Sequence, residues 1–344
     1  VSGDGIEDLQ KIIKDIYSNK NYKINNILTG GGLKEMIFIL QLSFSGKIFH
    51  ITPSWVSYQE QIKILNREED LIQIITTFND SFKVIPEKLE NILSKFKNEK
   101  KMIIFNNPCN PTGIIHSPEE TKKIANVLEK YNCIVLADEI YHNINHFNEI
   151  KSISEYIPKL TIRGSSVSKD LSCGGYRLGW ITFPKELNNL YLKCKSNISS
   201  IYSCTCVPIQ YALVDTLKNK KEISSYYNLL NFIYKKCVEI TCEMLDKTEL
   251  KYIRPKGAWY IFLNFNNYKS RLKNINLSKS SELCNYLIEK YGLVSVGGNK
   301  FSTPGLNLRL SLIDFDIDNL EDQNKIYSKI IDGINILIKF LNNI

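Results

Sequence analysis

The chain has 344 residues, of which 43% are hydrophobic and 23% charged, a composition typical of a globular protein with a sizeable core. Its net charge is +8, but the lysines are scattered and form no basic stripe with interleaved aromatic residues, which argues against nucleic-acid binding. The longest apolar runs, such as MIFILQLSF, fall well short of the roughly 18 residues that a membrane span needs, so we expect no transmembrane helix.

Short apolar runs of strand length alternate with helical patterns over the first half of the chain. The predicted strands are KIFHIT (47–52), LIQIIT (71–76), MIIFNN (102–107), CIVLAD (133–138), LTIRG (160–164) and LGWITF (178–183). Helical patterns lie at 55–66, 86–97 and 118–130, and the last begins at a capping box formed by Ser117 and Glu120. This alternation predicts an α/β fold with a mostly parallel sheet that helices cover on both faces.

The pattern changes after about residue 185. Helical segments dominate to about residue 248, and the last of them is a long helix over 222–248. A smaller α+β pattern follows, made of KYIRP, WYIFLNF, a helix at 279–291, LVSV, LNLRLSL and a terminal helix from about residue 318. We therefore expect a large domain over residues 1–235 and a small C-terminal domain over residues 236–344.

Polar and aromatic side chains follow four of the predicted strands. They are Trp55 in PSW, Asn110 in NPCNPTG, Asp138 with Tyr141 in DEIY, and Ser166 with Lys169 in SSVSK. Ligands of open α/β sheets bind beyond the carboxyl ends of the strands, so these side chains are expected at one edge. Upstream, TGGGLK (29–34) opens a helix and is a candidate anion cradle. Each feature alone fits an ordinary turn, a packed ring or a solvated lysine, and their conjunction favours a binding site.

The cysteines and histidines give no pattern typical of a metal site. Nine cysteines lie mostly within apolar segments, and the CxC of Cys204 and Cys206 has no second pair at zinc spacing, which indicates reduced thiols in a cytoplasmic protein. His142 and His146 are four residues apart but have no third ligand or carboxylate nearby, so we expect no metal. Because the sequence begins with Val1, organellar targeting stays open.

One combination of motifs is specific. Arg177 follows Lys169 by eight residues in SSVSKDLSCGGYRLGW, with TGGGLKEMIF, PSWVSY, NNPCNPTG and ADEIYHNI upstream and PKGAWYIF and NLRLSL downstream. In this order and over residues 5–344, the chain resembles the pyridoxal-phosphate enzymes of fold type I, in the class I/II aminotransferase family. The resemblance implies a seven-stranded, mostly parallel sheet between helices, a smaller α+β C-terminal domain, and pyridoxal 5'-phosphate (PLP) as cofactor.

The resemblance also implies an activity. Members of this family move an amino group between an L-amino acid and a 2-oxo acid by a ping-pong mechanism, and Trp55 in PSWVSY is similar to the aspartate-type members. Amino acids and 2-oxo acids are therefore the expected partners. A PLP-dependent lyase or synthase on the same scaffold, and a catalytically weak PLP-binding protein, are the alternatives.

Each matched residue has a role by resemblance. Lys169 would form a Schiff base with the cofactor's aldehyde and later move the α-proton, and Asp138 would pair with the pyridinium nitrogen. Arg309 would grip the substrate α-carboxylate with its planar fork. The remaining matched residues would hold the phosphate (Gly32, Leu33, Lys34, Ser166 and Arg177), stack on the ring (Trp55), or bond to the phenolic oxygen (Asn110 and Tyr141), with Asn110 also counted among the substrate-binding residues.

The family's active site is shared between two subunits. We therefore expect a homodimer with Trp55 and the 196–208 segment near the interface. The family also has several tens of residues ahead of the position that Gly5 matches, which supply a substrate-covering arm. We expect this arm to be absent from the chain.

Overall fold

The computed structural model describes residues 2–147, 150–315 and 323–344. The strands are β1 Asn26–Gly30, β2 Lys47–Thr52, β3 Leu71–Ile75, β4 Lys101–Asn106, β5 Cys133–Asp138, β6 Thr161–Ser166, β7 Gly179–Phe183, β8 Lys251–Tyr252, β9 Tyr260–Asn264, β10 Val296–Gly297 and β11 Asn307–Ser311. The α-helices are α1 Glu7–Tyr17, α2 Leu33–Ser43, α3 Val56–Ile64, α4 Pro86–Leu93, α5 Pro118–Lys130, α6 Asn188–Ile201, α7 Val207–Lys218, α8 Lys220–Leu245, α9 Lys269–Asn274, α10 Ser280–Tyr291, α11 Gln323–Ile326 and α12 Ser328–Asn342.

Seven strands form the large sheet in the order β1-β7-β6-β5-β4-β2-β3. The neighbouring pairs from β6 to β3 are parallel, whereas β7 runs antiparallel to both β6 and β1. The predicted mostly parallel, seven-stranded sheet is thus confirmed. Strand β1 was not predicted, because its NILTG run is short and leads directly into the glycine turn.

Helices cover the large sheet on both faces because alternate strand residues point to opposite sides. On β4, Met102 and Ile104 pack in the cluster that includes α2 and α6, whereas Ile103 and Phe105 pack with α4 and α5. The predicted capping box of α5 is present, with Glu120 N–H donating to Ser117 Oγ at 3.2 Å and Ser117 N–H donating to Glu120 Oε2 at 2.7 Å.

The second sheet is smaller and antiparallel, in the order β10-β11-β9-β8. It shares a core with the C-terminal half of α8 and with α10 and α12. The proposed boundary between residues 235 and 236 stays a prediction, and the continuous helix α8 crosses it. The start of the terminal helix was predicted at about 318, which lies outside the described residues. None of the described helices is both long and apolar enough to cross a bilayer.

Candidate active site

A cavity of about 530 Å³ lies where the segments after β2, β4, β5 and β6 meet strands β9 and β11 of the small sheet. Its volume is in the range of sites that bind small molecules. Nine residues singled out from the sequence line it: Leu33, Lys34, Trp55, Asn110, Asp138, Tyr141, Lys169, Arg177 and Arg309. Side chains distant in sequence are therefore brought together as the motif order predicts.

Two predicted residues do not line the cavity. Gly32 lies directly behind the wall, against the Arg177 guanidinium. Ser166 is fully buried at the end of β6, where its Oγ accepts the N–H of Ser168 at 3.1 Å. Ser168 lines the cavity in its place, so the assignment of Ser166 to the phosphate stays a prediction that the geometry does not support directly.

Several lining residues were not predicted from the sequence. Tyr58 and Tyr260 are the two with chemistry to offer, and Ile37, Asn106, Ile140, Ser168 and Gly174 complete the wall. Tyr58 lies three residues after Trp55 in the same PSWVSY motif. Residues three apart on a helix share a face, so the position of Tyr58 on α3 could have indicated that it lines the site with Trp55. Tyr260 comes from the small sheet, and nothing in the sequence indicates that β9 faces the large one.

One end of the cavity is positively charged and lies at the start of α2. Arg177 donates to the carbonyl oxygens of Gly31 at 2.5 Å and Gly174 at 2.7 Å. Gly32 has φ +98, and a Cβ there would lie 2.7 Å from Arg177 Nη2, so only glycine lets the arginine approach. The first N–H groups of a helix have no intrahelical partner, so this end is suited to an anion such as a phosphate.

Asp138 is a buried carboxylate without a cationic partner in hydrogen-bonding distance among the described residues. Its Oδ2 accepts the Tyr58 hydroxyl at 2.5 Å, and its Oδ1 accepts the Ile140 N–H at 3.2 Å. Burial raises the pKa of Asp138 to about 6, against the lowering effect of Tyr58. Burial and the adjacent carboxylate raise the pKa of Tyr58 well above its ordinary value, so Tyr58 stays a neutral donor.

Lys169 lines the cavity and lies among several positively charged side chains. Burial lowers the pKa of Lys169, and the positive charges of Arg309, Lys34 and Arg177 lower it further. Its Nζ lies 5.5 Å from the centroid of the Trp259 ring, and within the described ranges it makes no hydrogen bond or ion pair. A lysine in such surroundings is suited to nucleophilic attack and proton transfer.

Arg309 projects from β11 into the opposite side of the cavity. Its Nη1 donates to Asn110 Oδ1 at 2.9 Å, and its guanidinium lies 4.5 Å from the centroid of the Tyr260 ring. Its Nε is buried without a partner in the described part of the chain, and no carboxylate there pairs with it. An arginine with an unused donor is suited to a ligand carboxylate.

The phenol of Tyr141 is held by the small sheet. Its hydroxyl lies 2.7 Å from that of Tyr260, and burial together with Tyr260 raises the pKa of Tyr141 well above its ordinary value. The Asn110 backbone N–H donates to Asn106 Oδ1 at 2.8 Å, and the Asn110 side-chain Oδ1 accepts from Arg309 Nη1 at 2.9 Å. Both hydrogen-bonding side chains are therefore oriented before any ligand arrives.

The predicted absence of a metal was based on His142 and His146. His146 is buried and His142 is partly buried, and desolvation lowers the pKa of each. His146 Nε2 lies 2.9 Å from the Ala258 carbonyl oxygen, which makes it a satisfied core histidine. The described residues hold no cluster of three or more candidate metal ligands.

The cavity fits PLP by the nature of its groups. An arginine and a helix start at one end suit the phosphate, the free amine of Lys169 suits the aldehyde, and the Asp138 carboxylate suits a protonated ring nitrogen. Arg309, which lines the cavity and pairs with no carboxylate of the described residues, suits the carboxylate of a substrate. These role assignments remain predictions.

The family model for aminotransferase class I and II matches residues 2–321. The chain belongs to this family. The prediction of an aminotransferase is thus confirmed, as is the family recognised from the motifs.

Named relatives cover most of the chain. A probable aspartate/prephenate aminotransferase from Aquifex aeolicus is 27% identical over 318 residues, which is 89% of this chain and 77% of that protein. An aspartate aminotransferase from Bacillus subtilis is 26% identical over 92% of this chain and 80% of that protein. An asparagine–oxo-acid transaminase from Streptococcus mutans is 29% identical over 89% of this chain and 77% of that protein.

Solved structures share the fold. An aspartate aminotransferase from Thermotoga maritima superposes with a TM-score of 0.81 at 22% identity, over 99% of this chain and 84% of that one. A variant of the Thermus thermophilus aspartate aminotransferase gives a TM-score of 0.83 at 19% identity, over 98% and 87%. The predicted fold type is confirmed.

Proposed function

We propose that this aminotransferase uses PLP to move an amino group between an L-amino acid and a 2-oxo acid, with aspartate-type substrates. The observation that carries the proposal is the grouping of a depressed-pKa lysine, a buried carboxylate and an unpaired arginine around one cavity. Bound there, PLP would supply the electron sink that stabilises negative charge on the substrate α-carbon. The protein would supply binding, orientation and proton transfer.

Each residue has a defined task in this proposal. Arg177 and the N–H groups of Leu33 and Lys34 hold the phosphate, and Trp55 covers the ring. Asp138, kept in place by Tyr58, holds a proton on the ring nitrogen. Asn110 and Tyr141 would donate to the ring oxygen, since hydrogen bonds already orient both side chains.

Arg309 and Lys169 act on the substrate. Arg309 binds the α-carboxylate with the guanidinium that Asn110 and the Tyr260 ring orient. Lys169 would serve as the base for the α-proton, a task for which a lowered amine pKa is needed. The names of the relatives favour transamination over lyase chemistry and favour aspartate, asparagine or prephenate as the substrate group to test first.

The first test concerns the cofactor. We expect the full chain with PLP to be yellow, and borohydride reduction to fix the cofactor on Lys169 alone, as mass spectrometry of the digested protein would report. Lys169→Ala should lose the adduct and about 10⁴-fold of the half-reaction rate, since it removes both the attachment point and the base. An adduct on another lysine would refute the assignment, and the exposed Lys185, which follows β7, serves as the control position.

The second test concerns the substrate. A panel of amino donors with pyruvate and 2-oxoglutarate as acceptors should give the fastest turnover with aspartate. Release of ammonia or carbon dioxide without a 2-oxo acid product would favour the lyase alternative. The same measurements decide between an enzyme and a protein that only binds PLP.

We also propose a cytoplasmic homodimer, with Trp55 and the 196–208 segment near the interface. Light scattering should give twice the mass of the 39.7 kDa chain. A stable monomer with full activity would contradict the dimer.

A further inference from the structure

Asp170 directly follows the amine-bearing Lys169, yet it does not line the cavity. It is 5% exposed, and its Oδ2 accepts the side-chain N–H of Asn143 at 2.6 Å. Tyr227 and the Leu171 backbone act on this carboxylate by lowering its pKa, against the raising effect of burial. A carboxylate buried beside the reactive lysine and bonded to Asn143 has no part in the roles assigned above.

Three segments of the chain meet at this carboxylate. Asn143 lies on the turn that carries Tyr141, and Tyr227 and Asn231 lie one helical turn apart on α8. Asn231 Nδ2 in turn donates to the Asn143 carbonyl oxygen at 2.8 Å and to the Tyr227 carbonyl oxygen at 3.0 Å. Asp170 therefore joins the loop after β6 to the turn after β5, and Asn231 joins that turn to helix α8.

The other hydrogen bonds of the loop lie beyond Lys169, from the Cys173 N–H to the Val167 carbonyl oxygen at 3.0 Å and from the Tyr226 hydroxyl to Ser172 Oγ at 2.9 Å. A turn closes the loop, with Ser172 N–H donating to the Lys169 carbonyl oxygen at 3.1 Å, and Ser172 has φ +54. The Lys169 ammonium has no hydrogen-bond or ion-pair partner in the described ranges that could fix it from the cavity side. The direction of the lysine thus depends on what holds the adjoining backbone.

We propose that Asp170 is a positioning residue that anchors the backbone of Lys169 to the 141–147 turn and to α8, so that the amine points into the cavity. This inference rests on the proposed function. The charges that act most strongly on the Lys169 amine are those of Arg309, Lys34, Arg177 and Asp138. Asp170 therefore acts through the backbone, and its removal changes where the amine lies more than how basic it is.

The experiment measures how fast PLP attaches covalently to the cofactor-free full chain, by absorbance and by borohydride trapping on Lys169. Asp170→Ala should slow attachment at least about tenfold, because displacement of a reacting group by an ångström has effects of this order or larger. Tyr227→Phe should slow it less. Tyr226→Phe is the matched control, since it removes the neighbouring hydroxyl's bond to Ser172 Oγ at 2.9 Å and should leave the rate unchanged.

An exchanged pair separates positioning from general destabilisation. Asp170→Asn places two amide groups against each other, and Asn143→Asp places two carboxylates together, so each single variant should slow attachment. The double variant re-forms an amide–carboxylate bond with reversed polarity and should recover most of the rate. In steady state, Asp170→Asn should lower kcat while KM for the amino acid changes less than about twofold.

Three outcomes would overturn the inference. The first is attachment at the wild-type rate in both Asp170→Ala and Asp170→Asn. The second is a double variant no faster than the product of the two single effects. The third is an attachment rate that falls across the variants only in proportion to their urea midpoints, with Tyr226→Phe slowed as much as Tyr227→Phe. Absence of attachment in the wild-type chain would instead overturn the proposed function, and this inference with it.

Discussion

Two neighbouring carboxylates of the DEIY motif, Asp138 and Glu139, lie in opposite electrostatic surroundings. Both are buried, at 3% and 4% exposed. Glu139 Oε2 accepts a hydrogen bond from Arg163 Nε at 2.7 Å and forms an ion pair with Arg163 Nη2 at 2.7 Å. Despite burial, the interactions with Arg163 keep the pKa of Glu139 below its ordinary value. Asp138 has only a phenol and a peptide N–H, and burial raises its pKa to about 6.

The same contrast separates the buried Arg163 from the partly buried Arg309. Arg163 is paired with Glu139 and also donates to the Tyr17 carbonyl oxygen at 2.8 Å, so its charge is balanced within the fold. Arg309 faces the cavity with an amide and two aromatic rings as neighbours. The paired charges of Arg163 and Glu139 neutralise each other within the fold. The charges of Arg309 and Asp138 at the cavity have no such partner and are available to a bound ligand.

Breaking the balanced pair should have the largest effect on stability. Arg163→Met leaves Glu139 buried and unpaired, and we expect it to lower the free energy of unfolding by about 3–5 kcal/mol. Because the folded-state pKa of Glu139 is depressed, its contribution is present above the unfolded pKa and is lost as the pH falls through the folded one. The loss measured by urea denaturation should therefore be larger at pH 7 than at acid pH.

A second substitution and a surface pair serve as controls for this prediction. Adding Glu139→Gln to Arg163→Met removes the stranded charge and should restore much of the stability. Lys218→Met breaks the exposed pair with Asp215, which lies at 3.2 Å, and should change the urea midpoint little. An equal loss of unfolding free energy in all three variants would mean that the buried pair contributes no more to stability than the surface pair.

Substitutions of the two cavity arginines should have different effects, that of Arg177 on cofactor binding and that of Arg309 on substrate binding. Arg177→Ala should weaken PLP retention. Arg309→Ala should keep the yellow colour but raise KM for amino acid and oxo acid, with a loss of about 2–5 kcal/mol in substrate binding free energy. Arg309→Lys should recover little, because a point charge cannot replace a two-pronged contact. Dialysis with absorbance and half-reaction kinetics measure the two effects. The reverse division would show that the motif alignment is wrong.

Much of the large sheet and of the site at its edge could be predicted from the sequence, because both depend on short segments and on the order in which they follow one another. Buried apolar runs such as KIFHIT and CIVLAD predict their own strands, and the residues that follow them must share one edge of a parallel sheet. The roles of Tyr260 and Asp170 could not be predicted in this way. Tyr260 reaches the cavity only through the packing of the small sheet on the large one, and Asp170 is bound by Asn143 from another loop, 27 residues earlier in the chain.

Ser166 shows the converse limit. The motif places a serine three residues before the lysine, which is the spacing that suggested a phosphate ligand. In the fold, that serine ends β6 with its hydroxyl turned to the backbone of Ser168, and Ser168 reaches the wall. Spacing along the chain predicts which loop carries a side chain. The direction of the Ser166 side chain, at the end of β6, is set by how the strand packs in the sheet.

The smallest expected effect is the pH dependence that Asp138 gives to the cofactor-free protein. Its folded-state pKa of about 6 lies above the ordinary value of 3.8, so the folded form binds the proton more tightly than the unfolded form. Its ionisation therefore lowers stability as the pH rises between about 4 and 6, by at most about 3 kcal/mol. This sign is opposite to that of Glu139.

Asp138→Asn isolates this contribution, because Asp170 has a raised pKa in the same range and is unchanged in the variant. The variant should gain stability relative to the wild type as the pH rises from 4 to 7, whereas Glu139→Gln should lose it over the same range. Added PLP should reduce the difference for Asp138, since a protonated ring nitrogen would balance the carboxylate. Urea denaturation at both pH values, with and without PLP, measures this. If Asp138→Asn lost stability with rising pH as Glu139→Gln does, Asp138 would already be balanced by the fold, and the contrast between the two carboxylates would not hold.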